Sequence, residues 1–179
     1  MKWFIKCLKQ YADFGGRARR KEYWWFALIN FIISIILLIC WVTPIVKMGF
    51  DAAAAGIDDV DEMDIVITML KSPFLYIYFV YYLAVLIPGI SVTVRRLHDI
   101  GRSGYWAFFI YGGSMLGSLS SYYQSTNTAL FVVLSLVCFI VCIISLVWMF
   151  TESQYGPNQY GPNPKGEGNS TEQTNITES

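Results

Sequence analysis

Long apolar runs with few polar positions dominate the middle of the chain. A helix rises about 1.5 Å per residue, so crossing the roughly 30 Å hydrocarbon core of a bilayer takes about 20 apolar residues. Four runs approach that length and predict helices over about 23–46, 74–94, 105–123 and 130–150. The pattern therefore predicts an all-α membrane protein with a four-helix transmembrane bundle over residues 23–150.

The third run, 105–123, is the weakest of the four because it is rich in glycine and serine. A re-entrant segment is the alternative interpretation. Gly113 and Gly117 are spaced four residues apart, as small residues are where helices approach closely. The fourth run carries a matching stripe of small residues, and the two stripes predict packing between these helices or self-association, with a substrate pathway as the alternative. The residues of the second stripe are Ser135, Cys138, Cys142 and Ser145.

The charges between the runs alternate in sign, which predicts the orientation. The leader, residues 1–22, has seven basic and two acidic residues, and the connector, residues 95–104, has three basic and one acidic residue. Loop 47–73 has two basic and six acidic residues, and loop 125–128 has no charge. Because basic residues stay on the cytoplasmic side, both termini are expected to be cytoplasmic. A cleaved signal peptide is disfavoured, since the first run far exceeds the usual 7–15 apolar residues.

The segments outside the runs have separate predictions. Residues Trp3–Phe14 place lysines opposite aromatic side chains, which predicts an amphipathic helix in the headgroup plane; an ordinary solvated leader is the alternative. The acidic patch Asp58–Asp64 lacks the spacing of an EF-hand, so a solvated loop is favoured over a calcium site. The tail, residues 151–179, repeats Tyr-Gly-Pro-Asn and is expected to be disordered after residue 165. Its sequons, at Asn169 and Asn175, would face the cytoplasm unused.

Composition excludes a soluble protein and weighs against several functions. Charged residues make up 15% of the chain, and none lies between Tyr105 and Thr151. The predicted spans contain no ionisable group of the kind that marks ion or proton paths, which weighs against an ion-coupled transporter. The four cysteines form no CxxC pair and have no histidine nearby, so no metal, disulfide or cofactor is predicted.

The connector is rich in charged and titratable side chains. Arg95, Arg96 and Arg102 accompany His98, the one histidine, and Asp99. The arginines could anchor the chain to lipid phosphates, or they could form a specific phosphate or carboxylate site. His98 and Asp99 could act as an acid–base pair, or they could simply cap the helix and pair with the arginines.

A second basic motif precedes the first run, and with the connector and the tail it resembles a known family. This is the bacterial inner-membrane family catalogued as domain of unknown function 805, the YhaH/YhaI-like family. The motif positions that carry the resemblance are Phe14, Gly16, Arg17, Arg20, Tyr23 and Trp24; Arg95–Asp99, Gly101, Ser103, Gly104 and Trp106; and Gly156, Asn158, Tyr160–Pro162 and Pro164. Tyr105 departs from it, since a Trp is common there. The resemblance implies a small multi-pass membrane protein and supplies no chemistry.

These motifs share one membrane face in the predicted topology, which leads to a hypothesis for function. We expect the tail, which carries Asn158 and Tyr160, to fold back over the connector, so that the three motifs, including Arg17 and Arg20, form one cytoplasmic surface. That surface would engage anionic lipid headgroups or a protein partner without catalysis, with membrane lipids, a second copy or another membrane protein as partners and no nucleic acid. A small-solute permease and a phosphate-ester or lipid-headgroup enzyme using His98 and Asp99 are the alternatives.

Overall fold

The computed structural model describes residues 2–56, 61–124 and 127–169, apart from the side chains of residues 114–116, 118, 119 and 122. Within these ranges the chain is helical, in agreement with the predicted class. Three of its helices, α2, α4 and α6, are long and apolar enough to cross a membrane. The helices in the described ranges are α1 (Lys2–Lys9), α2 (Arg20–Ala54), α3 (Glu62–Lys71), α4 (Pro73–Asp99), α5 (Trp106–Tyr123) and α6 (Thr128–Phe150).

The two longest helices extend well beyond the predicted spans. Helix α2 begins at Arg20 and continues through Pro44 to Ala54, whereas the apolar run ends near residue 46. Helix α4 continues past residue 94 to Asp99, and the chain leaves it at Gly101, whose φ of +74° suits a helix end. An apolar run measures how much of a helix suits lipid and does not mark where its hydrogen bonding stops. The connector residues Arg95, Arg96 and Asp99 therefore lie on the last turns of α4.

Helix α3 was not predicted, and it replaces part of the expected acidic loop. Asp61 caps its N-terminus, with the Asp61 carboxylate accepting a hydrogen bond from the Met63 backbone N–H at 3.0 Å. Glu62 and Asp64 occupy the first turn, where negative charge is favourable. The acidic residues 61–64 therefore start a helix, which corrects the prediction of a solvated loop there; Asp58, Asp59 and Val60 lie outside the described residues.

Two further boundaries differ from the prediction. Helix α1 ends at Lys9, so the predicted helix Trp3–Phe14 is shorter than expected. In the tail, residues 167–169 form a turn after residue 165, where disorder was expected, and the Asn169 side-chain N–H donates to the Asn163 carbonyl at 2.9 Å. Residues 170–179, including the second sequon at Asn175, lie outside the described ranges.

The chain divides into two compact units, and the smaller one comprises residues 26–87. Several of its polar side chains are paired internally: the Tyr81 hydroxyl donates to Asn30 Oδ1 at 2.6 Å, and Asn30 Nδ2 donates to the Phe26 carbonyl at 2.7 Å. The Trp41 indole N–H donates to the carbonyl of Met69 in α3 at 3.2 Å. Such pairing suits a segment in lipid, where an unpaired polar group is expensive.

The larger unit contains residues 1–25 and the chain from Pro88 onward. In it α5 and α6 form an antiparallel pair, since Trp106 at the start of α5 packs against Trp148 near the end of α6, with ring centroids 5.1 Å apart. Midway along the pair, the Cys138 thiol donates to the Gly113 carbonyl at 3.3 Å. A Cβ on Gly113 would lie 3.2 Å from Val141 Cγ1, so only a small residue lets the helices come this close.

The remaining residues of the two small-residue stripes have different surroundings. Gly117 also faces Cys138, since a Cβ on it would lie 3.7 Å from the thiol. Ser145 donates within its own helix to the Val141 carbonyl at 2.7 Å. Ser135 is half-buried, and Cys142 is exposed, so the contact uses only part of the predicted stripe.

Candidate functional site

The carboxylate of Asp99 is the centre of a buried ion cluster that joins the leader, the connector and the tail. Asp99 is fully buried, and its Oδ1 accepts a hydrogen bond from Arg17 Nε at 3.0 Å. Its Oδ2 pairs with Arg96 and accepts a hydrogen bond from the Ser153 hydroxyl at 2.6 Å. One carboxylate thus binds two guanidinium groups and a hydroxyl from three separate stretches of sequence. We call Arg17, Arg96, Asp99 and Ser153 the Asp99 cluster.

Arg17 also holds the backbone of the tail. Its Nη1 donates to the Gly156 carbonyl at 2.7 Å, and its Nη2 donates to the Gln154 carbonyl at 2.6 Å. The Gln154 N–H in turn donates to the Asp99 carbonyl at 2.9 Å. Gly156 has a φ of +69°, which favours glycine, and this bend places its carbonyl where Arg17 reaches it. A planar guanidinium with several donors suits this task better than an ammonium would.

A third contact between tail and connector is made by Tyr160 and His98. Their rings are stacked, with centroids 3.8 Å apart and planes 4° from parallel. The His98 Nδ1 lies 3.3 Å from the Gly16 carbonyl, and the Asn158 side-chain N–H donates to the His98 carbonyl at 2.9 Å. The expected contact of Asn158 and Tyr160 with the connector is therefore present.

A second buried ion cluster, the Glu22 cluster, joins α1 to the ends of α2 and α4. Glu22 is fully buried; Arg95 Nη1 donates to its Oε1 at 3.0 Å and Lys6 Nζ donates to its Oε2 at 2.8 Å. Arg95 Nη1 also donates to Gln10 Oε1 at 2.6 Å. The Cys7 thiol lies beside the same carboxylate, and burial, followed by the charge of Glu22, raises the pKa of Cys7 to about 11. The thiol is therefore protonated at neutral pH.

The three arginines of these clusters are directed inward. Arg17, Arg95 and Arg96 are 7%, 1% and 0% exposed. Each guanidinium group binds a carboxylate of the chain, although Nε and Nη2 of Arg95 and Nε of Arg96 are buried without a hydrogen-bond partner among the described residues. These contacts give the three arginines an internal role, whereas the sequence suggested headgroup contacts. An arginine left without its carboxylate in such a site would be strongly unfavourable, so each pair ties its segments together.

The geometry also bears on the alternative that His98 and Asp99 form an acid–base pair. The Asp99 carboxylate is bound by Arg17, Arg96 and Ser153, while the His98 ring contacts Tyr160 and Gly16. The two adjacent side chains therefore face different partners. Their described contacts are structural and hold the tail against the connector. We call the Asp99 cluster and the His98–Tyr160 stack together the latch.

Other basic residues remain accessible, and four of them surround one open cavity of about 450 Å³. Arg19, Arg20 and Lys21 line it from the start of α2, and Lys165 and Glu167 line it from the tail. We call this the basic pocket. Its contributing segments are those that the Asp99 cluster holds together, so its shape depends on that cluster.

Glu152 contacts two residues that line the basic pocket, Arg20 and Lys165. It pairs with Arg20 and accepts a hydrogen bond from Lys165 Nζ at 3.3 Å, and these cationic groups, Lys165 first, lower the pKa of Glu152. Arg20 Nη1 donates as well to the Phe150 carbonyl at the end of α6, at 2.9 Å. Arg19 and Lys21 do not share these contacts and leave positive charge at the mouth of the pocket.

Arg102, the last of the predicted basic residues, lies elsewhere on the connector. It is exposed, and its guanidinium carbon is 4.5 Å from the centre of the Trp148 ring. This cation–π contact links the connector to the end of α6. Arg102 is thus placed with the aromatic residues near the helix ends and outside the two ion clusters.

Several residues of the site were missed by sequence reasoning. Glu22 lies inside the second basic motif but was not singled out, and Ser153 and Gln154 sit in a stretch without a recognisable motif. Lys165 borders the segment expected to be disordered, and Glu167 lies within it. The one available signal was charge balance, since Glu22 and Asp99 are acidic residues in strongly basic segments.

Comparisons with known proteins identify relatives of this chain. The family model "Protein of unknown function (DUF805)" matches residues 11–162, which include the whole Asp99 cluster and, of the Glu22 cluster, Glu22 and Arg95. The chain is 33% identical over 111 residues to the inner membrane protein YhaI of Escherichia coli K12, covering 62% of this chain and 72% of that protein. It is 36% identical over 107 residues to the inner membrane protein YhaH of the same strain, covering 60% and 70%. No solved structure matches the chain significantly. The chain belongs to the DUF805 family.

Proposed function

We propose that this chain is a non-enzymatic inner-membrane protein with four crossings, whose cytoplasmic surface binds anionic lipid headgroups at the basic pocket. The leader, the connector and the tail form that surface together. The buried clusters hold it in shape, and the exposed basic residues contact the lipid. Placement in an inner membrane is supported by the relatives that bear that description.

The proposal of four crossings rests on the antiparallel pairing of α5 and α6. Helix α6 is apolar enough to cross a membrane, and α5 runs alongside it from Trp106, opposite Trp148, in the reverse direction. The 18 residues of α5 span about 27 Å at 1.5 Å per residue, close to the thickness of the hydrocarbon core. If α6 crosses the membrane, the antiparallel helix α5 that packs against it crosses as well.

The orientation is supported by the charges of the segments that the clusters join. The leader and the connector are basic, whereas loop 47–73 is acidic. Since Arg17 of the leader and Asp99 at the end of α4 are paired with the tail, these three segments share one face of the membrane. The positive-inside rule assigns that face to the cytoplasm.

The observation that carries the proposed function is the basic pocket itself. Arg19, Arg20 and Lys21 immediately precede the first apolar run, so the pocket lies at headgroup level in the proposed topology. With Lys165 they bring four positive charges around one cavity, against the negative charges of Glu152 and Glu167. A cavity with excess positive charge at the membrane surface is suited to the phosphate of an anionic lipid.

Native mass spectrometry of the purified protein with phosphatidylglycerol and phosphatidylethanolamine tests the proposal. A basic residue near the surface contributes about 1 kcal/mol, so Lys21→Ala with Lys165→Ala should weaken phosphatidylglycerol binding about 30-fold. Phosphatidylethanolamine binding should change far less. The control is Lys47→Ala with Lys71→Ala, which removes the same charge from exposed positions in the acidic segment 47–73. Equal phosphatidylglycerol affinity in both double variants would refute the role of the pocket.

A further inference from the structure

A second cavity, of about 510 Å³, lies beside the His98–Tyr160 stack and is apolar. It is bounded by the end of α4, the start of α5, the leader and the tail. Its volume is in the range of small-ligand sites. The lining residues used below are Phe14, Ile90, Val94, Phe108, Tyr111 and Tyr160. We call it the apolar pocket.

The lining of the apolar pocket restricts what it can hold. As far as the structure describes it, the lining contains no lysine, arginine, aspartate or glutamate, and His98 is its one imidazole. The His98 ring is already occupied by Tyr160 and the Gly16 carbonyl. A charged solute would lose its hydration there without gaining a counter-charge, so the occupant must be apolar.

The position of the pocket indicates where an apolar occupant comes from. From Ile90 to His98 the cavity follows α4 for eight residues, about 12 Å along a helix that is apolar enough to cross a membrane. On the other side, Phe108 of α5 is 76% exposed and continues the apolar surface outward from the cavity. The pocket is thus continuous with the surface that faces lipid tails, and a lipid chain enters it without crossing water.

We propose that the apolar pocket holds one acyl chain of a membrane phospholipid. An esterified chain fits better than a free fatty acid, because the lining offers no basic side chain for a free carboxylate. The proposal rests on the membrane crossing of α4, as does the proposed function, but it does not require the basic pocket.

The wall of the pocket connects its occupant to the latch. Tyr160 lines the cavity, and its ring also stacks on His98. The tail therefore forms part of the wall. An acyl chain packed against Tyr160 stabilises the folded tail, and release of the tail opens the cavity. Occupancy and tail docking are therefore coupled.

Photo-crosslinking in nanodiscs tests this proposal. A phosphatidylcholine that carries a diazirine on one acyl chain is used, because its zwitterionic headgroup makes labelling independent of the basic pocket. In the wild-type protein, peptide mapping should find Phe108 and Tyr111 labelled at least fivefold more than Val133, an exposed residue of α6 outside the cavity. Labelling no greater than that of Val133 would overturn the proposal without any variant.

Filling the cavity provides the second arm of the test. Ile90→Trp with Val94→Phe should reduce labelling of Tyr111 at least fivefold and leave α6 labelling unchanged, whereas the control Val133→Trp should leave Tyr111 labelling unchanged. If the double variant does not fold, labelling of Ile90→Trp alone and the labelling map of the wild-type protein still test the proposal. Unreduced labelling in a folded, filled variant would contradict the proposal. Displacement of the phospholipid label by an equimolar diazirine fatty acid would overturn the assignment to an esterified chain.

Discussion

Neutralising Asp99 probes the latch at its centre. Asp99→Asn keeps the size of the side chain but removes the charge that two guanidinium groups share, those of Arg17 and Arg96. Both pairs are almost fully shielded from solvent, with side-chain exposures of 1% or less, so water does not replace the lost carboxylate. The variant therefore leaves two buried positive charges without their common partner.

The expected effect follows from the burial of these charges. Removing one partner of a buried ion pair destabilises a protein by about 3–5 kcal/mol. The tail is attached through the same cluster, since Arg17 holds the Gln154 and Gly156 carbonyls. If opening of the tail becomes easier by that energy, amides of the tail should exchange about 150- to 5000-fold faster.

Hydrogen exchange of the protein in nanodiscs measures this change. The amide of Gln154 donates to the Asp99 carbonyl and reports directly on docking of the tail. The matched control is Asp64→Asn, which removes an exposed carboxylate from the first turn of α3. Exchange at Gln154 within threefold of wild type in Asp99→Asn would refute the assignment of Asp99 as the latch centre.

Three other residues give independent predictions. Gly101→Ala should destabilise the protein by about 1–2 kcal/mol in denaturant titrations, because φ is +74° and the new Cβ would lie 2.7 Å from Gln154 Oε1. Cys7 should resist maleimide at pH 8. Because its folded pKa of about 11 exceeds the unfolded value of 9.0, its contribution to stability should be intact below pH 9 and be lost between pH 9 and 11, so the fall over that range should be smaller in Cys7→Ala. Gly113→Leu should destabilise the α5–α6 pair by about 1–3 kcal/mol in the same titrations, because a Cβ there already lies 3.2 Å from Val141.

The sequence identifies the membrane-length helices because length and apolarity are local properties. Charge alternation also predicts that the leader, the connector and the tail share one face, and these three segments are in contact in the structure. The contact of Asn158 and Tyr160 with the connector was expected on that ground and is present. The packing position at Gly113 was found from residue size and spacing alone.

The sequence could not predict that the arginines point into the protein. A positive charge beside a span is compatible with a lipid phosphate outside the protein and with a carboxylate inside it. The partners of Arg17 and Arg95 are Asp99 and Glu22, which are 82 and 73 residues away. Only the folded chain shows which of the two environments each guanidinium group occupies.

The remaining differences have similar causes. Helix α3 depends on the cap at Asp61, a single side chain within an acidic stretch whose composition favours a loop. Lys165 borders a low-complexity segment, and its place in the basic pocket comes from turns held by Asn163 and Asn169. In both places a few specific hydrogen bonds outweigh the average preference of the segment.

The most direct test of the account is the membrane side of the leader and the tail. Single cysteines at Lys2 and Gln159, in a protein whose four native cysteines are replaced by alanine, can be labelled with a membrane-impermeant maleimide in intact and permeabilised bacteria. Both positions should react only after permeabilisation, because the Asp99 cluster joins the leader to the tail and the proposed topology puts both in the cytoplasm. Labelling of the Gln159 position in intact cells, with the Lys2 position protected, would contradict it.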